Sequence, residues 1–216
     1  MKKKGSVLFL PFLKRMPLII GLLGVLSIVV IYVLSRKDDP SVGYFPEGIF
    51  EDFTAEWYSS TLQAMEEPSL FGASRSSKRE AYRFLWLRSF HAPIAIRVER
   101  QGEHYSLWAK KLKMSYPKGE MPRPVGLTDR LEISLSKEQW SQFLSLLEES
   151  EFWKMPNEDS REGLDGSQWI LEGCFEGRYH IVDRWTPEVD NRCPEFRMTC
   201  LSLIDLAGIF QDEEIY

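Results

Sequence analysis

Residues 16–35 form an uninterrupted stretch of twenty residues without a charged side chain, and thirteen of them are Leu, Ile or Val. A helix of that length rises about 30 Å, which is the thickness of the hydrocarbon core of a bilayer. The stretch therefore predicts a single N-terminal transmembrane helix. It divides the chain into a basic tail, residues 1–15, and a much larger part that follows.

The charges that flank this stretch predict its orientation. Five Lys or Arg residues precede it, whereas the two basic residues that follow, Arg36 and Lys37, stand beside Asp38 and Asp39. Basic flanks are retained in the cytoplasm, so we expect a cytoplasmic tail and an extracytoplasmic C-terminal part. Two alternatives remain. A signal peptide cleaved near Ser35 is disfavoured by the length of the apolar run, and a reversed helix is disfavoured by the basic residues.

The part that follows the apolar stretch is strongly acidic. Residues 38–216 contain all 32 acidic residues and 20 of the 27 basic ones, which gives a formal charge of −12. Such a charge repels phosphate backbones and argues against nucleic-acid binding. The length suits one core, and we divide it into a juxtamembrane spacer and helix at residues 36–80 and an α+β domain at residues 81–216.

The juxtamembrane segment is predicted to contain a helix and a loop. Apolar residues between positions 51 and 67 recur without the alternation of a strand, which favours a helix. Residues 68–78 contain Pro, Gly and Ser and are predicted to form a loop. The apolar residues of the predicted helix are Phe53, Trp57, Leu62 and Met65.

A hairpin gives the most direct prediction of a sheet. Residues 94–100 and 103–112 are separated by Gln101-Gly102, a two-residue turn in which glycine supplies a positive φ. This register gives one apolar face and one face that we expect to be largely exposed to water. The apolar pairs are Val98 with Tyr105, Ile96 with Leu107, and Ile94 with Ala109. The other face carries Arg97, Glu99, His104 and Ser106.

Two further strands and a helix are predicted from alternation and capping. Residues 80–90 and 131–135 alternate in apolarity, and residues 114–127, rich in Pro and Gly, are predicted to form a long loop. Ser136 and Gln139 have the spacing of a capping box, which starts a helix. The apolar stripe of that helix comprises Trp140, Phe143, Leu144 and Leu147.

A second hairpin and a final helix complete the predicted fold. Residues 168–175 and 178–185 flank a turn at Glu176-Gly177, and residues 196–210 have helical spacing. The element order predicts an α+β fold with an antiparallel sheet of about six strands and helices covering one face. For the cysteines, Cys193 and Cys200 lie too far apart along that helix to be bridged. A bridge from Cys174 to either of them, or three buried thiols, remains open.

Two segments resemble a family of bacterial proteins of unknown function. They are GLDGSQWILEG at residues 163–173 followed by GRYHIVDRW at residues 177–185, and YRFLWLR at residues 82–88. The resemblance covers roughly residues 81–208. It implies a bacterial source, and hence an inner-membrane location for the anchor, and it implies one domain. It brings no activity, cofactor or catalytic residue.

The second hairpin holds the candidate site residues. On one face, His180 lies opposite Gly173, which leaves space for a ligand or another backbone, and Arg184 lies opposite Trp169 as a cation–π pair. On the other face, Glu172 and Asp183 come within diagonal reach and could perform acid–base chemistry. Each group also has a purely structural interpretation, which is the more frequent one.

Several familiar signatures are missing from the sequence. It contains no phosphate-binding glycine loop, no Gly-x-Ser-x-Gly motif and no Cys-x-x-Cys pair, and its three histidines are scattered. We therefore predict neither a cofactor nor a metal site.

These observations favour a membrane-anchored extracytoplasmic module that binds a partner or takes part in envelope assembly. Its expected partners are the membrane, through residues 16–35, and an envelope protein. The alternative is a membrane-tethered hydrolase-like enzyme that uses the carboxylates or the histidine of residues 168–185.

Overall fold

The computed structural model describes residues 43–75, 79–119, 122–159, 163, 165–187, 193–210 and 213–216. The predicted tail and transmembrane helix lie outside these residues. Among the described residues, no helix combines the length and apolarity needed to cross a bilayer.

The described chain forms a six-stranded antiparallel sheet with helices, so the predicted α+β class and strand number are confirmed. The strands lie in the order β4-β3-β2-β1-β5-β6. The strands are β1 (Glu80–Arg88), β2 (Ile94–Gln101), β3 (His104–Ser115), β4 (Arg123–Leu135), β5 (Ser167–Phe175) and β6 (Arg178–Trp185). The helices are α1 (Asp52–Ala64), α2 (Leu70–Ser74), α3 (Lys137–Glu149), a 3-10 turn (Phe152–Lys154) and α4 (Pro194–Ala207).

Helices α3 and α4 cover one face of the sheet and enclose the larger core. The Ser136 hydroxyl accepts from the Gln139 N–H, and the Gln139 side chain accepts from the Ser136 N–H, so the predicted capping box is confirmed. Pro194 starts α4, and Gly208 ends it with φ of 68°. That end lies before the predicted position at Phe210, because a left-handed residue cannot continue a helix.

The second face of the sheet is also covered, which corrects the prediction of helices on one face only. Residues 43–75 pack there as part of one compact unit with the sheet. Since this segment lies over β1, β2 and β5, Arg97 and Glu99 on the face that was expected to be wet are buried, whereas His104 on β3 is exposed as predicted. The boundaries proposed at residues 36–80 and 81–216 stay predictions. The buried apolar residues that the segment contributes are Phe45, Phe50, Tyr58, Leu62 and Met65.

Helix α1 presents a different side to the sheet from the one predicted. Leu62 is buried as predicted, together with Met65 just beyond the helix, but Phe53 is 77% exposed and Trp57 is 44% exposed. Tyr58 is fully buried instead. The Tyr58 hydroxyl reaches a polar partner in the sheet, whereas the Phe53 side chain has no polar atom that could do so.

Two predictions on strand pairing need correction. The first hairpin pairs Gln101 with His104, so Val98 faces Leu107 and the register is shifted by two residues. A shift of two leaves every side chain on its predicted face. Strand β4 starts at Arg123, within the predicted loop, and pairs with β3 through two irregularities. Pro124 is tolerated because β4 is an edge strand.

The predicted loop at residues 68–78 contains the short helix α2.

Candidate functional site

The hairpin that carries the candidate residues has the predicted register. Gly173 pairs with His180, Trp169 with Arg184, and Phe175 with Arg178 around the turn at Glu176-Gly177. Both turn residues have positive φ, 50° and 79°, as a two-residue turn of this type requires.

The space predicted above Gly173 is filled by aromatic side chains. A Cβ atom at Gly173 would lie 2.8 Å from Phe152 Cε1 and 2.8 Å from Tyr82 Cδ1. His180 packs edge-on against Phe152 with the ring centroids 5.0 Å apart. Its Nε2 lies 3.1 Å from the Met155 carbonyl oxygen, and because a carbonyl only accepts, Nε2 carries the hydrogen. Burial lowers the pKa of His180. The histidine therefore anchors the 3-10 turn, and the ligand space predicted here is absent.

Arg184 is also engaged differently from the prediction. Its guanidinium carbon lies 6.0 Å from the centroid of Phe196 rather than over Trp169. Its Nη1 and Nη2 atoms donate to the carbonyl oxygens of Asn157 and Pro156, at 3.2 and 2.8 Å. Trp169 Nε1 donates to Ser167 Oγ at 2.8 Å. Arg184 thus fixes the loop that follows the 3-10 turn.

Glu172 is completely buried and ion-paired. Arg83 Nη2 and Nε donate to Glu172 Oε1 at 2.6 and 3.0 Å, and the Tyr179 hydroxyl donates to Oε2 at 2.9 Å. Neither Arg83 nor Glu172 has any exposed side-chain surface. Glu172 and Asp183 share a face of the hairpin, as predicted, but each carboxylate has its own set of partners.

Glu172 belongs to a larger ion-pair network that joins residues 43–75 to the sheet. Glu67 accepts from Lys110 at 2.8 Å and from Arg97 at 3.0 Å, and Arg83 lies 3.6 Å away. Burial works to raise the pKa of Glu67, but Arg97, Arg83 and Lys110 together hold it below its ordinary value. The buried ion-pair network comprises Glu67, Arg79, Arg83, Arg97, Glu99, Lys110 and Glu172.

Asp183 lies on the same face but has a different environment. The residue is 5% exposed, and Oδ2 accepts from the Tyr58 hydroxyl at 2.7 Å. Oδ1 is buried and has no hydrogen-bond partner among the described residues. Burial raises the pKa of Asp183 to about 7, with the charges of Glu158 and Asp159 acting in the same direction.

Asp183 lines a small depression between the start of α1 and the ends of β5 and β6, which we name the acidic cleft. Its volume is about 190 Å³. Burial raises the pKa of Glu158, and the charge of Glu51 adds to this shift. The Gln168 carbonyl oxygen, Oε1, is a second buried acceptor without a partner among the described residues. The cleft is lined by Glu51, Thr54, Tyr58, Glu158, Asp159, Gln168, Asp183 and Trp185.

A larger groove of about 640 Å³ lies beside the 3-10 turn. Five of its charged side chains contact one another or an aromatic ring: Arg100 Nε lies 2.8 Å from Glu80 Oε2, Lys154 lies 2.7 Å from Glu151, and Arg178 stacks over the Trp153 ring at 4.6 Å. The acidic cleft is the better candidate site, because Asp183 Oδ1 and Gln168 Oε1 have no hydrogen-bond partner among the described residues, whereas the buried Glu80 Oε2 of the groove lies beside the Arg100 cation.

Sequence reasoning found Asp183 but not the rest of the cleft. Tyr58 and Thr54 lie over 120 residues from Asp183 in the chain, and no local spacing connects them. The available signal was the acidic sequence that follows Met155. Within the described residues, no group of three or more His, Cys, Asp or Glu side chains is placed to hold a metal ion.

No protein-family model matches the chain, and no curated protein is significantly similar to it. The resemblance carried by residues 163–185 therefore stays a prediction.

Proposed function

We propose that this chain is a membrane-anchored extracytoplasmic binding or assembly module, and that the acidic cleft is its recognition site. The observation that carries the proposal is the Asp183 carboxylate, buried in a cleft with one oxygen unmatched. Burying a polar atom without a partner costs free energy, so an unmatched carboxylate oxygen in a cleft is a candidate for contact with a ligand.

The geometry supports binding better than hydrolysis. Glu172 is enclosed and paired with Arg83, and the His180 Nε2 hydrogen is donated to a carbonyl, so neither is positioned to act on a substrate. Asp183 has a pKa suited to proton transfer. The hydroxyl that is hydrogen-bonded to it, however, is that of Tyr58, which donates to the carboxylate. Burial raises the pKa of that hydroxyl further, which disfavours it as a nucleophile.

The anchor part of the proposal rests on residues 16–35 and their basic flank. Alkaline phosphatase fused after Tyr216 is expected to be active in cells, because this reporter needs an extracytoplasmic location. An inactive fusion of a stably produced chain would contradict the proposed topology.

The recognition part is tested by photo-cross-linking in cells. A photoreactive amino acid at Thr54, inside the cleft, is expected to give one defined cross-linked product. The matched control is the same amino acid at Glu132, which is exposed on β4 at the opposite edge of the sheet. Equal product patterns at both positions, or none at Thr54, would contradict the binding of a macromolecular partner at the cleft, which is the assembly role.

A further inference from the structure

We infer that the acidic cleft recognises a positively charged nitrogen group, a primary ammonium or a guanidinium, carried by its ligand. The inference rests on the proposed function, because it names the ligand class of the same site.

The charges of the cleft are the first reason. Four carboxylates line it, those of Glu51, Glu158, Asp159 and Asp183, and their mutual repulsion is visible in the raised pKa values of Glu158 and Asp183, to which burial contributes most. The charge of Arg184 acts against the pKa shifts of Glu158 and Asp183. The Nη atoms of Arg184 donate to backbone carbonyls and its Nε lies 4.0 Å from Asp159, so its hydrogen bonds go to groups other than the carboxylates of Glu158 and Asp183.

The hydrogen-bonding pattern is the second reason. Asp183 Oδ1 and Gln168 Oε1 are both buried acceptors without partners among the described residues. Both residues line the cleft, so a ligand group that reaches these two atoms has to donate hydrogen bonds. An ammonium group offers three N–H donors and a guanidinium five, whereas a carboxylate or phosphate ligand offers only further acceptors at neutral pH.

The size and walls of the cleft favour one organic head group. Pockets that hold a whole drug-sized molecule measure about 300–1,000 Å³, and this cleft has about 190 Å³. Aromatic side chains, Tyr58 and Trp185, form part of the wall, and aromatic faces attract organic cations. A metal ion would need several oxygen ligands around one point, an arrangement that the described residues do not form.

The experiment uses the full-length chain in detergent micelles with all seven tryptophans replaced by 5-fluorotryptophan. The Trp185 fluorine signal is assigned from the Trp185→Phe variant. The probe is agmatine, which carries an ammonium and a guanidinium, and the neutral comparison is 1,4-butanediol. We expect a saturable shift of the Trp185 signal with agmatine and none with the diol.

Variants identify the responsible carboxylates. Asp183→Asn and Glu158→Gln are each expected to weaken agmatine binding by about tenfold, because a charge-assisted hydrogen bond is lost. Glu132→Gln changes net charge by the same amount far from the cleft and is expected to leave binding unchanged. Glu158 is partly exposed, so its variant stays informative even if Asp183→Asn alters folding.

The outcomes separate this inference from the proposed function. Absence of a saturable agmatine shift, an equal shift with the diol, or equal weakening by Glu132→Gln would overturn the inference, while a Thr54 cross-link would still support a recognition site. A specific agmatine response without any Thr54 cross-link would support the cation site and contradict the proposed assembly role.

Discussion

The buried ion-pair network and the acidic cleft lie on the same face of the sheet, beneath the same N-terminal segment, yet they differ in charge balance. In the network, Glu67, Glu99 and Glu172 are paired with Arg79, Arg83, Arg97 and Lys110 at hydrogen-bonding distance. In the cleft, Asp183 accepts from a neutral donor, the Tyr58 hydroxyl, and further carboxylates line the same depression.

The difference shows what each region contributes. A buried charge is tolerated when it is paired and hydrogen-bonded, so the network holds residues 43–75 on the sheet at little net cost. A buried carboxylate without a matching cation makes the fold less stable, and it is retained where it serves binding or chemistry. The same chemical change, carboxylate to amide, should therefore have opposite effects on stability in the two regions.

The largest effect is expected for Glu67→Gln, which removes the anion shared by Arg97, Lys110 and Arg83. Breaking a buried charge cluster on one side costs about 3–5 kcal/mol, because the remaining charges stay buried. Because the pKa of Glu67 is lowered in the fold, this loss is fully present above the unfolded pKa and shrinks as pH falls through the folded pKa. Urea unfolding followed by tryptophan fluorescence measures it. An unchanged midpoint at pH 7 would refute the role assigned to the network.

Asp183→Asn is expected to stabilise the protein at pH 8. The pKa of Asp183 rises from 3.8 to about 7 in the fold, so the native state resists ionisation, and the cost is fully present above the folded pKa and absent below the unfolded one. At 1.36 kcal/mol per unit, the gain is about 2–4 kcal/mol at pH 8, and it should vanish near pH 4. A variant less stable than wild type at pH 8 would contradict the charge imbalance.

Tyr58→Phe probes the hydrogen bond that the Tyr58 hydroxyl donates to Asp183. Removing this hydroxyl leaves Oδ2 without that hydrogen bond and is expected to cost about 1–2 kcal/mol at pH 8. In an Asp183→Asn background the same substitution should cost less, since no charge is then left without a donor. A double-mutant cycle without coupling would show that the hydrogen bond does not stabilise the carboxylate.

The smallest effect is expected next to the network. Glu66 precedes Glu67 in the chain but is exposed, with its carboxylate 3.4 Å from Arg130 Nη1. Glu66→Gln should stay within about 0.5 kcal/mol of wild type, because exposed ion pairs contribute little. A loss as large as that of Glu67→Gln would mean that burial is not what distinguishes the two.

Local rules predicted most of the strands and two helix starts. The Glu176-Gly177 turn and the alternation of β5 and β6 fixed one register, and the capping box at Ser136 fixed the start of α3. The register of β2 and β3 was two residues off, since the tight turn holds Gly102-Glu103. Because side chains alternate between the two faces of a strand, a shift of two residues still left each side chain on its predicted face.

The second face could not be predicted, and the cleft depends on it. Arg97 and Glu99 look like surface charges in a strand, and only Glu67, from another segment, reveals that they are buried. Likewise, Phe53 and Trp57 predicted the wrong buried side of α1. Tyr58 is buried against the sheet instead, where its hydroxyl donates to Asp183. Such pairings across the chain have no local signature.

The most direct test of the contrast is the titration of the Asp183 carboxyl in the full-length chain. Its ¹³C chemical shift, assigned with Asp183→Asn and followed from pH 3 to pH 9, is predicted to move with a midpoint near 7, and saturating agmatine is predicted to lower that midpoint. A midpoint near 4 without agmatine would contradict the account, as would one that agmatine leaves in place.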